Sequence, residues 1–391
     1  MYSVFVRGNN VSKENVDTRL CDDSLWNDFK LRYEREDSTN KELLDMSGNY
    51  LQGPGYSVID KGTVSLGNNI HDYVSLSSYD WPNPETPNGL PWIHRDGVLN
   101  PETENYDAPR LVNFCRAVGT LVTASKLTGE QKYARRAGVL LKRWFIDPET
   151  RMNPHLHYAQ FVPGVDAGSS WGLIDAQFFC HLNESVRSLE FNPDWTETDR
   201  KAYDAWMTQY FFWLISSPLA VKEEGSPTNH GTWYDVQFVS IALLLRHNDL
   251  ARRQIVEKTI PRLSVQLLQD GRQPFELSRT LSLSYSMFNL TAWVWLSSYA
   301  RKLGIELWTC PSDDNATLKK AFDFIFPYLR GDKEWIYTQI GNVSGEGARL
   351  IAMVSRITED SDLKQYLSKD SKTPFFILIP NMITPKKQEN I

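Results

Sequence analysis

From Pro109 onward the apolar residues return every three or four positions, the spacing of one buried helix face. LVNFCRAVGTLVTASKLTG reads as an amphipathic helix ending at Gly129, and EQKYARRAGVLLKRWFID as a second one stopped by Pro148. WGLIDAQFFCHLNESVRSLE follows, then TETDRKAYDAWMTQYFFWLISS, where Thr196 and Asp199 have capping-box spacing. VQFVSIALLLRHN, DLARRQIVEKTIPRLSVQLLQ, MFNLTAWVWLSSYARKLG and LKKAFDFIFPYLRG complete the helical set. Residues 1–50 are charged and weakly patterned, with one helix expected around Asp22–Glu36, and residues after about 345 are again weakly patterned and close on a basic-polar tail. No long β-alternating segment competes.

Polar stretches interrupt this rhythm. Residues 51–110 are so rich in Pro, Gly, Asn, Trp and Tyr that long helices are excluded there. RMNPHLHYAQFVPGVDAGSS forms a second such loop, and long structureless runs inside a compact domain tend to be functional. Helix, short loop, helix, long polar loop is the rhythm of antiparallel helical hairpins with their functional loops gathered at one end. It predicts an all-α fold, an α/α toroid or incomplete barrel of helical hairpins, in a single domain over residues 1–391. There is no repeat of fixed period, which argues against a regular solenoid.

Composition narrows the function. Hydrophobic residues make up 41% and charged residues 23%, enough to bury a sizeable core. The net charge of −6 argues against nucleic acid as a partner. Aromatics reach 12%, with 13 Trp and 17 Tyr, which suits sugar stacking as well as ordinary core packing. The four cysteines, at 21, 115, 180 and 310, form no CxxC pair and suggest neither a metal knuckle nor a disulfide framework. No run reaches the ~20 apolar residues of a membrane span, and the opening MYSVFVRGNN lacks a signal-peptide pattern.

Four constellations carry candidate chemistry. In SPTNHGTWYD, Asn229 and His230 set an amide beside a titratable imidazole just ahead of a helix. Asn is also an ordinary helix N-cap there. With a helix start near Gly231, His230 and Tyr234 would share a face. In DGRQPFELSRTLSLSYSMFNL, Arg279 and Tyr285 are six apart. An extended segment would put them on one side, whereas a helix would separate them by about 240°. The intervening Ser and Thr residues favour an irregular segment that runs into a helix at Met287. The competing reading pairs Arg279 with Glu276 and buries Tyr285. Trp92, His94 and Arg95 stand in one aromatic loop, and Asn153, His157, Tyr158 and Gln160 in the other. Neither histidine spacing is a zinc motif, and HExxH, GxSxG, P-loop and GxGxxG patterns are absent, so no metal and no cofactor are expected. A hydrolase would need a carboxylate pair; Asp166, Asp175, Asp235 and Glu276 are available, and nothing singles out two of them.

Together, HDYVSLSSYDWPNP, GLPWIHRDGVLNPE, NYDAPRL, RMNPHLHYAQFVPG, TNHGTWYDVQ and DGRQPFELSRTLSLSYSMFNL resemble the alginate lyase domain, a family of polysaccharide lyases built on an α/α toroid. The resemblance spans roughly residues 65–330. It implies an active site of Asn229, His230, Arg279 and Tyr285. Thr228 departs from the pattern, since members often carry a first asparagine there. The family's lid tyrosine would be sought among Tyr50, Tyr56 and Tyr106. The implied substrate is an anionic polysaccharide, alginate or a related polyuronate such as glucuronan, cleaved by elimination. Trp92, His94, Arg95, Asn153, His157, Tyr158, Gln160, Tyr234 and Glu276 would serve as substrate-contacting residues. Such polymers are extracellular, so a secreted or periplasmic protein is expected. A glycoside hydrolase on a helical toroid and a non-catalytic glycan-binding protein are the rival readings.

Overall fold

A computed structural model describes residues 16–35, 37–61, 66–67, 69–343, 346–369 and 379. The chain start, read above for a leader, and the basic tail lie outside these residues. The described residues divide into two compact units, one holding residues 21–223 and the other residues 224–369 together with 16–20. No described helix is long and apolar enough to cross a membrane.

The N-terminal unit contains α1 (Asp23–Tyr33), α2 (Asp37–Gln52), α3 (Asp107–Thr128), α4 (Gln131–Phe145), α5 (Phe179–Ser188) and α6 (Glu197–Ser216), with α7 (Pro218–Glu224) at its boundary. The expected helix at 22–36 is shorter than anticipated, and α2 was not anticipated at all. Gly129 ends α3 in the left-handed region at φ 75°, which a residue without Cβ adopts freely, and α4 begins two residues later. The expected capping box of α6 is present, with Thr196 Oγ1 accepting from Asp199 N and the Asp199 carboxylate accepting from Thr196 N. The stretch at 171–190 is not one α-helix: a 3-10 segment, Ser170–Phe178, precedes α5. Helix α3 packs on α2, α4 and α5. The core there is aromatic, with Phe114 stacked on Trp144 at 4.7 Å and Phe145 edge-on to Phe179, Tyr203 and Trp206.

Among the described residues, four short strands brace the polar loops. β1 (Val74–Leu76) runs parallel to β4 (Tyr158–Phe161), while β2 (Asp80–Trp81) pairs antiparallel with β3 (Ile93–His94), Asp80 opposite His94. The buried Lys61 ammonium anchors this region. It pairs with Asp107 at 3.1 Å and donates to the carbonyls of Ile70 and Asp72.

The C-terminal unit contains α8 (Asn229–Leu244), α9 (Asn248–Gln254), α10 (Ile260–Gln266), α11 (Pro274–Leu277), α12 (Ser282–Lys302), α13 (Leu318–Leu329), α14 (Glu346–Thr358) and α15 (Ser361–Lys369). The last two form where the sequence pattern is weak. A π-helical turn, Ile255–Thr259, joins α9 to α10 immediately before Pro261, which has no N–H to continue an α-helical ladder. Helix α12 is the centre of this unit and packs on α8, α11, α13 and α14, with Trp293 and Trp295 fully buried along it.

Candidate active site

Helix α8 begins two residues earlier than the sequence suggested. Its N-cap is Thr228, whose side chain accepts from the His230 N–H, so Asn229 is the first helical residue and not the cap. Asn229 is wholly buried. Its backbone N–H donates to Glu276 Oε1 at 2.7 Å and its side-chain Nδ2 to Glu276 Oε2 at 2.8 Å. One carboxylate thus holds both the main chain and the side chain of the first turn, an anion at the positive end of a helix. Burial pushes the Glu276 carboxyl above the ordinary glutamate value, opposed by the two Asn229 bonds and then by the charges of Arg279 and His230. Glu276 is therefore the point at which the 229–230 and 276–285 segments converge.

Gly231 follows because nothing larger fits. A Cβ there would overlap the Arg262 guanidinium and the Ser226 carbonyl oxygen. Arg262, on α10, donates to the Ser226 carbonyl at 2.7 Å and the Glu224 carbonyl at 2.9 Å, which fixes the chain leading into α8. It is held in turn by Asp235, one α8 turn beyond Gly231, with Nε 3.0 Å from Oδ2. Gln254 and Thr259 also donate to the Asp235 carboxylate. Burial raises the Asp235 carboxyl above its usual range against the pull of Arg262. Gln266 completes the support, donating to the Thr228 carbonyl at 2.8 Å and accepting from Thr232, Asn289 and Trp293.

The Arg279 guanidinium lies over the Tyr285 ring, 3.7 Å from its centroid. The route to this contact differs from the one expected. Helix α12 starts at Ser282, five residues before Met287, so Tyr285 sits in its first turns rather than on an extended approach. The irregular part shrinks to residues 278–281, a tight turn that folds Arg279 back onto the ring. Nor does Glu276 form the predicted pair with Arg279 as its main contact, because both its oxygens serve Asn229. His230, Arg279 and Tyr285 are each half-buried.

Three of the expected substrate contacts, Gln160, Tyr234 and Glu276, are buried. Tyr234 is 3% exposed and Glu276 1% exposed. Tyr234 faces the core, where burial, then Glu224 and Asp235, push its phenol well above the usual value. Glu276 is a positioning residue for Asn229. Sequence reasoning missed Arg262 and Gln266, which lie 23 or more positions from the side chains they engage and occur in no recognisable motif.

In the N-terminal unit, the β2–β3 pair carries Arg95 over the Trp81 ring at 5.5 Å and His94 Nδ1 3.5 Å from Asp80. Trp92 is half-buried, and its backbone N–H donates to the Pro163 carbonyl. Asn153 Nδ2 donates to Asp72 Oδ1, which also lies 3.2 Å from His155. The exposed His157 accepts from the Trp213 indole. Burial, and for His155 the neighbouring His157, hold both imidazoles below their usual value, opposed by Asp72. Gln160 adopts φ 47°, costly for a residue with a side chain, and is fixed by its N–H to Ser75 Oγ and its Nε2 to Asp175. Tyr158 is half-buried beside these groups on β4.

The chain matches the family model described as Alginate lyase over residues 57–336. Among solved structures, an alginate lyase from Bacteroides ovatus is 31% identical, with a TM-score of 0.86 covering 94% of this chain and 99% of that one. An alginate lyase from a Sphingomonas species shares the fold at 14% identity and a TM-score of 0.54, over 88% of this chain and 95% of that one. A tetrasaccharide complex of a variant of that enzyme superposes similarly, at 14% identity and a TM-score of 0.53, over 88% and 94% of the two chains. No curated protein sequence matches this chain.

Proposed function

Because the chain belongs to the alginate lyase family and is a polysaccharide lyase, we propose that it cleaves alginate by β-elimination with Tyr285 as the proton carrier. The observation that carries this reading is the meeting of two separated segments, Asn229–His230 and Arg279–Tyr285, around Glu276.

The chemistry follows from the substrate. A base removes the C5 proton of a uronate, the C4–O4 bond breaks, and a C4–C5 double bond forms without water. The ionised C6 carboxylate barely acidifies C5, so its charge must be offset as the dianionic enolate develops. Groups fixed in place do this without reorganising during the step. His230 and Arg279 meet the carboxylate. Asn229 lies beneath, holding the first turn of α8 and its partial positive charge in place. Positive charge on the face of the Tyr285 ring favours its phenolate form. Tyr285 then takes the C5 proton and returns it to O4. This suits β-mannuronate and β-glucuronate, in which both atoms lie on one face of the sugar. In guluronate they lie on opposite faces, and His230 would act as base with Tyr285 as acid.

We assign Trp92, His94, Arg95, Asn153, His157 and Tyr158 to contacts with the polymer, aromatic rings against sugar faces and Arg95 against a carboxylate. Mannuronate and glucuronate differ only at C2, away from the reacting bond, so glucuronan is a second candidate substrate. Alginate is too large to cross an envelope intact, and export of the enzyme follows from that.

The hydrolase alternative needs a carboxylate pair free to act. Asp235 is occupied by Arg262, Gln254 and Thr259, Glu276 by Asn229, and Asp175 by Tyr73, Ser75 and Gln160. These commitments favour the lyase. The test is to incubate the protein with polymannuronate, polyguluronate and glucuronan and follow ultraviolet absorbance. A lyase yields a rising signal from the conjugated double bond. New reducing ends without absorbance would instead indicate hydrolysis, and neither signal would indicate a binding protein.

A further inference from the structure

Helix α12 starts without a cap from its own sequence. Leu281 occupies the N-cap position and provides no side-chain hydrogen bond, although the first turns of this helix carry Tyr285. An N-terminus left so would have several unpaired backbone N–H groups. The missing partners come from residues more than fifty positions downstream. Gln339 Oε1 accepts from the N–H of Leu283 at 3.0 Å and more weakly from that of Ser284 at 3.4 Å, while its Nε2 donates to Ser284 Oγ at 3.1 Å and to the Gly341 carbonyl at 3.0 Å. The Thr338 carbonyl accepts from both Ser282 N, at 3.1 Å, and Ser282 Oγ, at 2.5 Å. Trp335 Nε1 donates to Ser282 Oγ at 2.8 Å, and the Ile340 N–H donates to the Thr280 carbonyl at 3.0 Å. Leu281 and Gln339 form an isolated antiparallel bridge.

The segment WIYTQI is built for this. Trp335, Tyr337 and Gln339 are half-buried while Ile336, Thr338 and Ile340 are exposed, the two-residue alternation of an extended strand. Its inward aromatics pack with Phe324 and Tyr328 of α13. The backbone that it grips, residues 280–284, is the stretch between Arg279 and Tyr285. Gln339 lies past the end of the family match at residue 336.

We propose that this strap, with Gln339 as its principal contact, is a positioning device that sets the Tyr285 phenol against the Arg279 guanidinium for proton transfer. The proposal rests on the reading of Tyr285 as proton carrier. Gln339 touches no reacting atom; it acts through the first turn of α12. Loss of its side chain lets that turn fray and the ring drift from Arg279, which lowers turnover without weakening polymer binding.

The test compares Gln339→Ala, Gln339→Glu and Ser282→Ala with the unmodified enzyme, measuring kcat, KM and melting temperature on polymannuronate, with Tyr285→Phe alongside. Gln339→Glu keeps an oxygen acceptor at the helix N-terminus and is the conservative rescue. Expected are a kcat about tenfold lower in Gln339→Ala with KM unchanged, a value within about threefold of the original in Gln339→Glu, and an intermediate loss in Ser282→Ala, in line with the loss of one or two hydrogen bonds. If Gln339→Ala does not fold, Ser282→Ala with its kcat loss at constant KM carries the test. Unchanged kcat in the folded alanine variants, or a loss in Gln339→Glu as large as in Gln339→Ala, overturns the strap. If Tyr285→Phe keeps full activity, the reading of Tyr285 itself fails, whatever Gln339 does.

Discussion

The Glu276 carboxylate grips Asn229 twice, through the backbone N–H at 2.7 Å and the side-chain amide at 2.8 Å. Both residues are buried, at 1% and 0% exposure, so neither bond has water as a substitute. The pair fixes the start of α8 beneath His230 and ties it to the turn that presents Arg279. An exposed glutamate could not do this, because solvent would compete for both oxygens.

Replacing Glu276 by Gln keeps the size and exchanges one acceptor oxygen for a donor NH2 group. The amide then faces a donor of Asn229 with a donor of its own. Leaving one such buried group unpaired costs about 1–3 kcal/mol. Glu276→Gln is expected to melt several degrees lower and to turn over more slowly, with Arg279 still stacked on Tyr285. Thermal melts and initial rates on polymannuronate measure both. Unchanged rate and melting temperature would remove Glu276 from the site's support.

Arg262 and Asp235 support the same turn from below. Arg262→Ala leaves the Asp235 carboxylate buried with Gln254 and Thr259 but no cation, a loss of about 3–5 kcal/mol by the usual cost of breaking a buried pair. Gly231→Ala pushes a methyl group into the same guanidinium and is expected to destabilise by about 1–3 kcal/mol. Combined, the two changes should cost somewhat less than their sum, because alanine at 262 removes the guanidinium that the new methyl meets, while the overlap with the Ser226 carbonyl oxygen remains. Chemical denaturation of the two single variants and the double variant checks this.

The imidazoles of His155 and His157 titrate below their usual value in the folded protein. The unfolded chain protonates them at about 6.5. Between that value and the lower folded one, the unfolded state binds more protons, so stability rises with pH across this window. As pH falls from 7.5 to 5.5 the melting temperature should drop. A His155→Gln/His157→Gln double variant should lose part of that slope. An identical slope in both proteins would show that these imidazoles do not contribute.

Much of the fold was legible in periodicity, because helices such as α4 bury one face and leave the other polar, while α8 is apolar almost all round. The short forms were not. α2 and α15 carry mainly polar sequences, and α14, which buries Leu350, Ile351, Met353 and Val354, lies in a stretch too short and isolated to stand out. The start of α12 was misjudged because its cap, Gln339, lies far along the chain, and local sequence at Leu281 signals no helix. Asn229, His230, Arg279 and Tyr285 were singled out by the resemblance to the alginate lyase family, because local sequence alone leaves each an ordinary structural reading beside its proposed chemical one. Their supports were not recognised as such, since Glu276, Arg262 and Gln266 act through contacts that only the folded chain creates. Tyr234 misled for the same reason: four residues from His230 on one helix, it nevertheless turns into the core.

The central claim is tested most directly by Tyr285→Phe, assayed on polymannuronate by absorbance of the unsaturated product. The substitution removes one oxygen and leaves the ring beneath Arg279. The account predicts turnover lower by at least ~10²-fold, with KM and melting temperature nearly unchanged. A phenylalanine variant that keeps producing unsaturated ends at the original rate would contradict it.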